Sequence, residues 1–173
     1  LPIAVGEATK CISFIQNKIK RYSFIVKWGE TTNTDDLEGT VLEKSNVRPT
    51  KTQVLDILNS FKGKILQEPP AFSAIKIDGK RSYKLARNNI IVKHRPREVE
   101  IHKLSLKKIV NSDCAEFEVL CGKGTYIRSL AKDIAEKLNT KAHVIALRRH
   151  SVGNFSEKDT IFIDFFKEII HSP

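Results

Sequence analysis

A chain of 173 residues with 40% hydrophobic and 29% charged side chains has the make-up of a folded soluble domain, not of a disordered segment. A formal charge of +10 calls for a polyanionic partner, nucleic acid ahead of an anionic membrane surface. No apolar run approaches the ~20 residues that span a bilayer, no signal peptide opens the chain, and Cys11, Cys114 and Cys121, without C-x-x-C spacing, support neither a disulfide framework nor a zinc ribbon and suit a reducing cytosol.

Taken in order, residues 6–19 predict a helix with Ala8, Ile12, Ile15 and Ile19 as its apolar stripe. Lys10, near the helix start, is either a phosphate contact or a solvated lysine. Residues 21–28 predict a strand with Tyr22, Phe24, Val26 and Trp28 on one face. Tyr22 reads as core by periodicity, yet at the strand's beginning it can also reach a cleft and stack on a ligand. A polar loop (31–36), a turn and a short strand at Val41-Leu42 follow. Thr50 and Gln53 form a capping box for a helix bearing Val54, Leu55, Leu58 and Phe61, ended by Gly63.

Gln67-Glu68-Pro69-Pro70 interrupts regular structure. Ala74 to Ile77 is strand-like, Asp78-Gly79 is a hairpin signal, and Ser82 caps a short helix carrying Tyr83. From Lys76 to Arg97 stand eight basic side chains (Lys76, Lys80, Arg81, Lys84, Arg87, Lys93, Arg95, Arg97) against one acid, Asp78. With Tyr83 interleaved and His94 adding pH-dependent charge, this run reads as a nucleic-acid contact or, more simply, as a solvated face. Strands follow over Val99–Leu106 and over Cys114–Cys121, the latter with Phe117 and Val119 inward.

Gly122-Lys123-Gly124 then turns the chain and delivers Tyr126 and Arg128, two residues apart. In an extended segment that spacing puts both on one face, where a flat ring beside a guanidinium suits a base next to an anion. A core tyrosine and a surface arginine fit it as well. Leu130, Ile134 and Leu138 continue at helical spacing. Cys121 is a buried strand residue or, beside Lys123, a thiol of lowered pKa. Ala146–Val152 predicts a strand bearing Arg148 and Arg149, and Ile161–Ile170 a last amphipathic helix. The order β-α-β-β-α-β predicts an α+β domain with a largely antiparallel sheet. Gly122-Lys123-Gly124-Thr125 lacks the first glycine of a phosphate loop, and the five histidines show no metal-ligand spacing.

These motifs together, Gly6-Glu7-Ala8-Thr9-Lys10, Lys20-Arg21-Tyr22, Ser73-Ala74-Ile75-Lys76 with Gly79-Lys80, Lys123-Gly124-Thr125-Tyr126-Ile127-Arg128, and Ala142-His143-Val144 with Leu147-Arg148-Arg149, resemble the TruB-type tRNA pseudouridine synthases over nearly the whole chain and in the family's order. The resemblance implies a mixed, largely antiparallel sheet flanked by helices, spanning residues 1–173 as part of the catalytic domain, with residues 68–97 inserted as an RNA-binding thumb. It implies isomerisation of a T-loop uridine of tRNA in the cytoplasm, by a monomer, with base flipping and without cofactor or metal. Arg128 matches the arginine that pairs with the attacking Asp, Tyr22 the active-site tyrosine over the base, and Tyr126 and Leu147 residues lining the uridine pocket; Lys10, Lys76, Lys80 and Tyr83 join them as substrate contacts.

That Asp belongs to a Gly-Thr-Leu-Asp-Pro motif expected upstream of Leu1. The chain holds no methionine and opens abruptly in an apolar segment, so a further segment is expected there. A carboxy-terminal RNA-binding extension is expected after Pro173. The 173 residues alone are expected to bind RNA without forming pseudouridine, with Arg128 lacking its carboxylate partner. The rival readings are a non-catalytic RNA-binding module, such as a tRNA-folding chaperone, and a ribosome-associated structural protein.

Overall fold

The computed structural model describes residues 2–161 except 78, 89, 91 and 93; the helix expected over Ile161–Ile170 lies outside the described residues but for its first position. A 3-10 turn, Gly6–Cys11, leads into a single short helix, α1 (Ile12–Gln16). This corrects the amphipathic helix expected over 6–19. None of its residues is buried, and Phe14 is 71% exposed, so the stripe meets no core among the described residues.

Strand β1 (Lys20–Trp28) matches its alternation, with Phe24, Val26 and Trp28 buried on one face. After Gly29 come β2 (Glu30–Thr32) and β3 (Val41–Lys44), which pair with each other. Helix α2 (Lys51–Leu58) starts on the expected capping box: the Thr50 hydroxyl accepts the Gln53 N–H and the Gln53 side chain accepts the Thr50 N–H. Periodicity did not reveal β4 (Gly63–Gln67), which forms an edge of the main sheet. A two-residue hairpin, β5 (Lys76–Ile77) with β6 (Lys80–Arg81), then opens helix α3 (Ser82–Arg87).

Two long strands follow, β7 (Arg97–Asn111) and β8 (Cys114–Cys121), then helix α4 (Ile127–Lys137), β9 (Ala142–Val152) and β10 (Phe155–Ser156). The six-stranded sheet runs β10-β9-β1-β8-β7-β4, antiparallel in every pair. A parallel bridge, Asp36 with Val144, lies outside the strands. Among the described residues no helix is long and apolar enough to cross a membrane.

The core lies on one face of this sheet. Phe24, Val26, Phe117 and Val119 meet Val54 and Leu58 of α2 and Leu130, Ala131 and Ile134 of α4. Phe117 is fully buried, stacked on Phe24 at 5.4 Å and edge-on to Trp28 at 6.2 Å. Phe117→Ala is therefore expected to cost about 4 kcal/mol, from the lost transfer energy and a cavity that a sheet centre cannot close. Urea unfolding would show it; a loss below about 1 kcal/mol would mean that the layer is loosely packed.

Candidate active site at the amino end of helix α4

Register fixes where α4 sits. Strand β8 ends at Cys121 opposite Lys20, and β9 begins at Ala142 opposite Trp28. The helix between them therefore runs from the Tyr22 end of β1 to the Trp28 end, on the core face. Its first turn lies on the same face and at the same end as Tyr22. Tyr22 is opposite Arg149 and Phe24 is opposite Leu147. Tyr22 is half-buried against the core, whereas Leu147 is 50% exposed. An apolar floor is thus left open beside the helix.

The turn into α4 depends on Gly124, whose φ of 80° lies in the left-handed region. Tyr126 is the N-cap in extended conformation and Arg128 is in the first helical turn, so the two do not share a strand face; this corrects the extended reading. Helix N-termini leave N–H groups without partners. Here Gln67, buried at the end of β4, accepts the Tyr126 N–H at 2.8 Å, and the Ser129 hydroxyl donates to Glu68 O at 2.6 Å. Sequence reading passed over Gln67; a polar residue in the run that ends in Pro69-Pro70 carries no periodic signal.

Arg128 gathers three chain segments. One guanidinium nitrogen donates to Thr34 O at 2.8 Å and to Asp36 Oδ2 at 2.9 Å, and the other donates to Phe72 O at 2.8 Å. Both side chains of the ion pair are about a quarter exposed. The expectation that Arg128 lacks a carboxylate is therefore corrected. Asp36 stands beside Val144 of β9, three residues before Leu147. Its Oδ1 accepts the Thr34 hydroxyl at 2.5 Å and the Glu38 N–H at 3.1 Å. With Oδ2 on Arg128, both carboxylate oxygens are engaged, which suits a group that orients the guanidinium.

Burial raises the Tyr22 hydroxyl pKa, against the influence of the nearby Arg149 guanidinium, so the phenol is protonated at neutral pH. Arg148, its neighbour, turns to the other face and pairs with Glu157 at 2.8 Å. His143 is buried, with Nδ1 at 3.0 Å from Glu30 O, a scaffold contact. Burial pushes the Cys121 thiol up, which settles it as a core residue and not an activated thiolate. Among the described residues no group of three or more His, Cys, Asp or Glu is placed to hold a metal ion.

The basic segment stands apart from the core. Lys76, Lys80, Arg81 and Lys84 are exposed, and the Arg87 guanidinium lies 5.6 Å from the Tyr83 ring centre. Ser82 does not cap α3. It is the first helical residue, and its buried hydroxyl reaches Ala71 O and, at 2.9 Å, His94 Nε2, which also lies 3.3 Å from Ser73 Oγ. Burial, with Arg97 nearby, lowers the His94 pKa. His94 therefore ties the base of this segment together and adds no charge at neutral pH. Lys10 pairs with Glu7 at 2.5 Å and is exposed.

Within α4, burial and then Glu136 raise the Asp133 carboxyl to about 6, against Lys132 and Gln67. Unfolded, an Asp titrates near 3.9. Above about pH 6 it is charged in both states and folding carries the cost; below about pH 4 it is neutral in both. Asp133→Asn should stabilise the fold by about 1–2 kcal/mol at pH 8, after discounting for partial exposure, and the gain should fade between about pH 6 and pH 4. Denaturant titrations at the two extremes test this; an equal gain at both would refute it.

The family model described as TruB family pseudouridylate synthase (N terminal domain) matches residues 1–127, and that described as tRNA pseudouridylate synthase B C-terminal domain matches residues 128–171; the chain belongs to the TruB family. It is 51% identical to tRNA pseudouridine synthase B of Bradyrhizobium diazoefficiens over 95% of this chain and 48% of the relative. It is 47% identical to that of Bartonella henselae over 98% and 53%. The chain spans about half the length of these curated relatives. Among solved structures it resembles a Cbf5-Nop10-Gar1 complex with a TM-score of 0.68 at 23% identity, over 99% of this chain and 44% of the other. It also resembles an H/ACA RNP bound to a substrate RNA containing 2'-deoxyuridine, with a TM-score of 0.64 at 20% identity, over 98% and 42%. At these identities the likeness concerns the fold.

Proposed function

We propose that this chain carries the uridine-binding floor and the arginine clamp of an enzyme that converts a T-loop uridine of tRNA to pseudouridine, acting as a cytoplasmic monomer. The observation that carries the reading is the Arg128–Asp36 pair, set at the first turn of α4 on the face and at the end where Tyr22 lies, in a chain of the TruB family.

The reaction is an isomerisation. The C1′–N1 bond breaks, the base turns, C5 bonds to C1′, C5 loses its proton and N1 gains one. The attacking carboxylate is the Asp of the Gly-Thr-Leu-Asp-Pro motif expected upstream of Leu1, and Arg128, oriented by Asp36, holds it ionised. Tyr22 stacks on the extruded base, and its hydroxyl assists proton transfer at C5. Tyr126 and Leu147 line the pocket. Residues 68–97 act as a thumb, with Lys76, Lys80 and Tyr83 on RNA, and Lys10 is a further contact.

The test is release of tritium from C5-labelled uridine in tRNA by the protein that carries the upstream Asp motif together with residues 1–173. Binding without release would favour the RNA-binding module instead, a reading that the exposed basic segment alone would also satisfy. Neutralising Lys76, Lys80, Arg81 and Lys84 together should weaken tRNA binding and lower its log–log salt slope by roughly 0.7–0.9 for each phosphate contacted. An unchanged slope would make the segment merely solvated.

A further inference from the structure

We propose that Lys20, Lys123 and Arg149 form an anion site at the open end of the core face, which holds the RNA backbone phosphate next to the extruded uridine. The proposal rests on the RNA reading above. Its basis is a convergence of three cations that the sheet register brings to one end of the core face. Lys20 pairs in register with Cys121, two residues before Lys123. Tyr22, two residues on from Lys20 and on the same face, is opposite Arg149. Burial is the main cause that lowers the Lys20 pKa, Cys121 opposes it, and the nearby Arg149 and Lys123 charges add to the lowering.

Three cations repel one another unless an anion lies among them. Among the described residues, none of the three has a carboxylate within ion-pair distance, although Lys10, Lys27, Lys64, Lys108, Arg128, Lys141 and Arg148 each do. Lys20 donates only to the carbonyls of Gln16 and Lys18, at 2.7 and 2.9 Å, which leaves one of its three N–H groups. The backbone N–H groups of Lys123 and Gly124, exposed in the turn, have no acceptor among the described residues and can add to the same site. A monoanion bridging two extended segments is what a nucleic-acid backbone offers. Arg149, opposite Tyr22 in the sheet register, would link phosphate capture to placement of the ring.

Lys123 is the position to test, because it is exposed in a loop and its loss leaves the core intact. Lys123→Gln in the purified protein is expected to weaken binding of a stem-loop RNA carrying the target uridine about five- to tenfold near physiological salt, and to lower the log–log salt slope by roughly 0.7–0.9. Lys123→Arg should restore both. The same RNA is then made with a single neutral methylphosphonate at each position flanking the target in turn. At one position the wild-type and Lys123→Gln affinities should become equal, as a double-mutant cycle requires of groups in contact. Unchanged slopes for Lys123→Gln and Arg149→Gln, or an affinity difference that survives at every methylphosphonate position, would overturn the site. Failure of the unmodified protein to bind the RNA at any salt would overturn the functional reading, and with it this site, and is seen before any variant is made.

Discussion

In the protein that also carries the upstream Asp motif, Arg128→Lys should reduce pseudouridine formation by about a thousandfold or more while leaving the protein folded and RNA affinity within about threefold. The reason is geometric. Arg128 uses two nitrogens to serve Thr34 O, Asp36 Oδ2 and Phe72 O, at 2.8 to 2.9 Å. An ammonium keeps the charge but presents it as a point and cannot span that planar fork. A misdirected cation no longer fixes the attacking carboxylate, and electrostatic groups of this kind are worth about 10²–10³ each in rate. Loss of the contacts to Thr34 O and Phe72 O adds to that figure.

Arg128→Ala should lose activity as well, but it also strands Asp36, a carboxylate only 27% exposed, and so costs stability. The lysine variant separates chemistry from folding. Asp36→Asn should lower activity about 10- to 100-fold, and the double variant should be no worse than Arg128→Lys alone, since the two act as a unit. Tritium release from C5 measures all of these. Arg128→Lys with a tenth of wild-type turnover would mean that the guanidinium is scaffold only.

Tyr22→Phe should cut kcat by about 10²–10³ with KM nearly unchanged, whereas Tyr22→Leu should also raise KM. The phenylalanine ring keeps the packing against the core and any stacking on the base, worth roughly 1–3 kcal/mol. It removes only the hydroxyl, which burial holds protonated. Positioned proton-transfer groups typically contribute 10²–10⁴ in rate. Full kcat in Tyr22→Phe would restrict Tyr22 to stacking.

Where local physics decides structure, the amino-acid sequence was sufficient. The alternation in Lys20–Trp28 and Cys114–Cys121, the Thr50–Gln53 capping box and the helical stripe of α4 each depend on neighbours within a few residues, and each stands where the pattern places it. The basic run from Lys76 to Arg97 and the motifs around Tyr22, Tyr126, Arg128 and Leu147 are likewise local, and they pointed to the family that the comparisons show.

Partners distant in the chain were decided only by the tertiary structure. Asp36 is 92 residues from Arg128, and Gln67 is 59 from Tyr126. Both are polar residues in unperiodic stretches, and nothing nearby distinguishes them from solvated loop. Sheet order brings them to α4: β4 pairs with β7 at the edge, and the loop after β2 reaches β9 at Val144. The stripe of residues 6–19 failed in the opposite sense. Periodicity says which side chains share a face, but burial needs a surface opposite, and among the described residues that face meets none. A sequence pattern carries a residue's own preference for burial, whereas the partner that satisfies a buried charge or an orphan N–H is set by which distant segments the fold closes together.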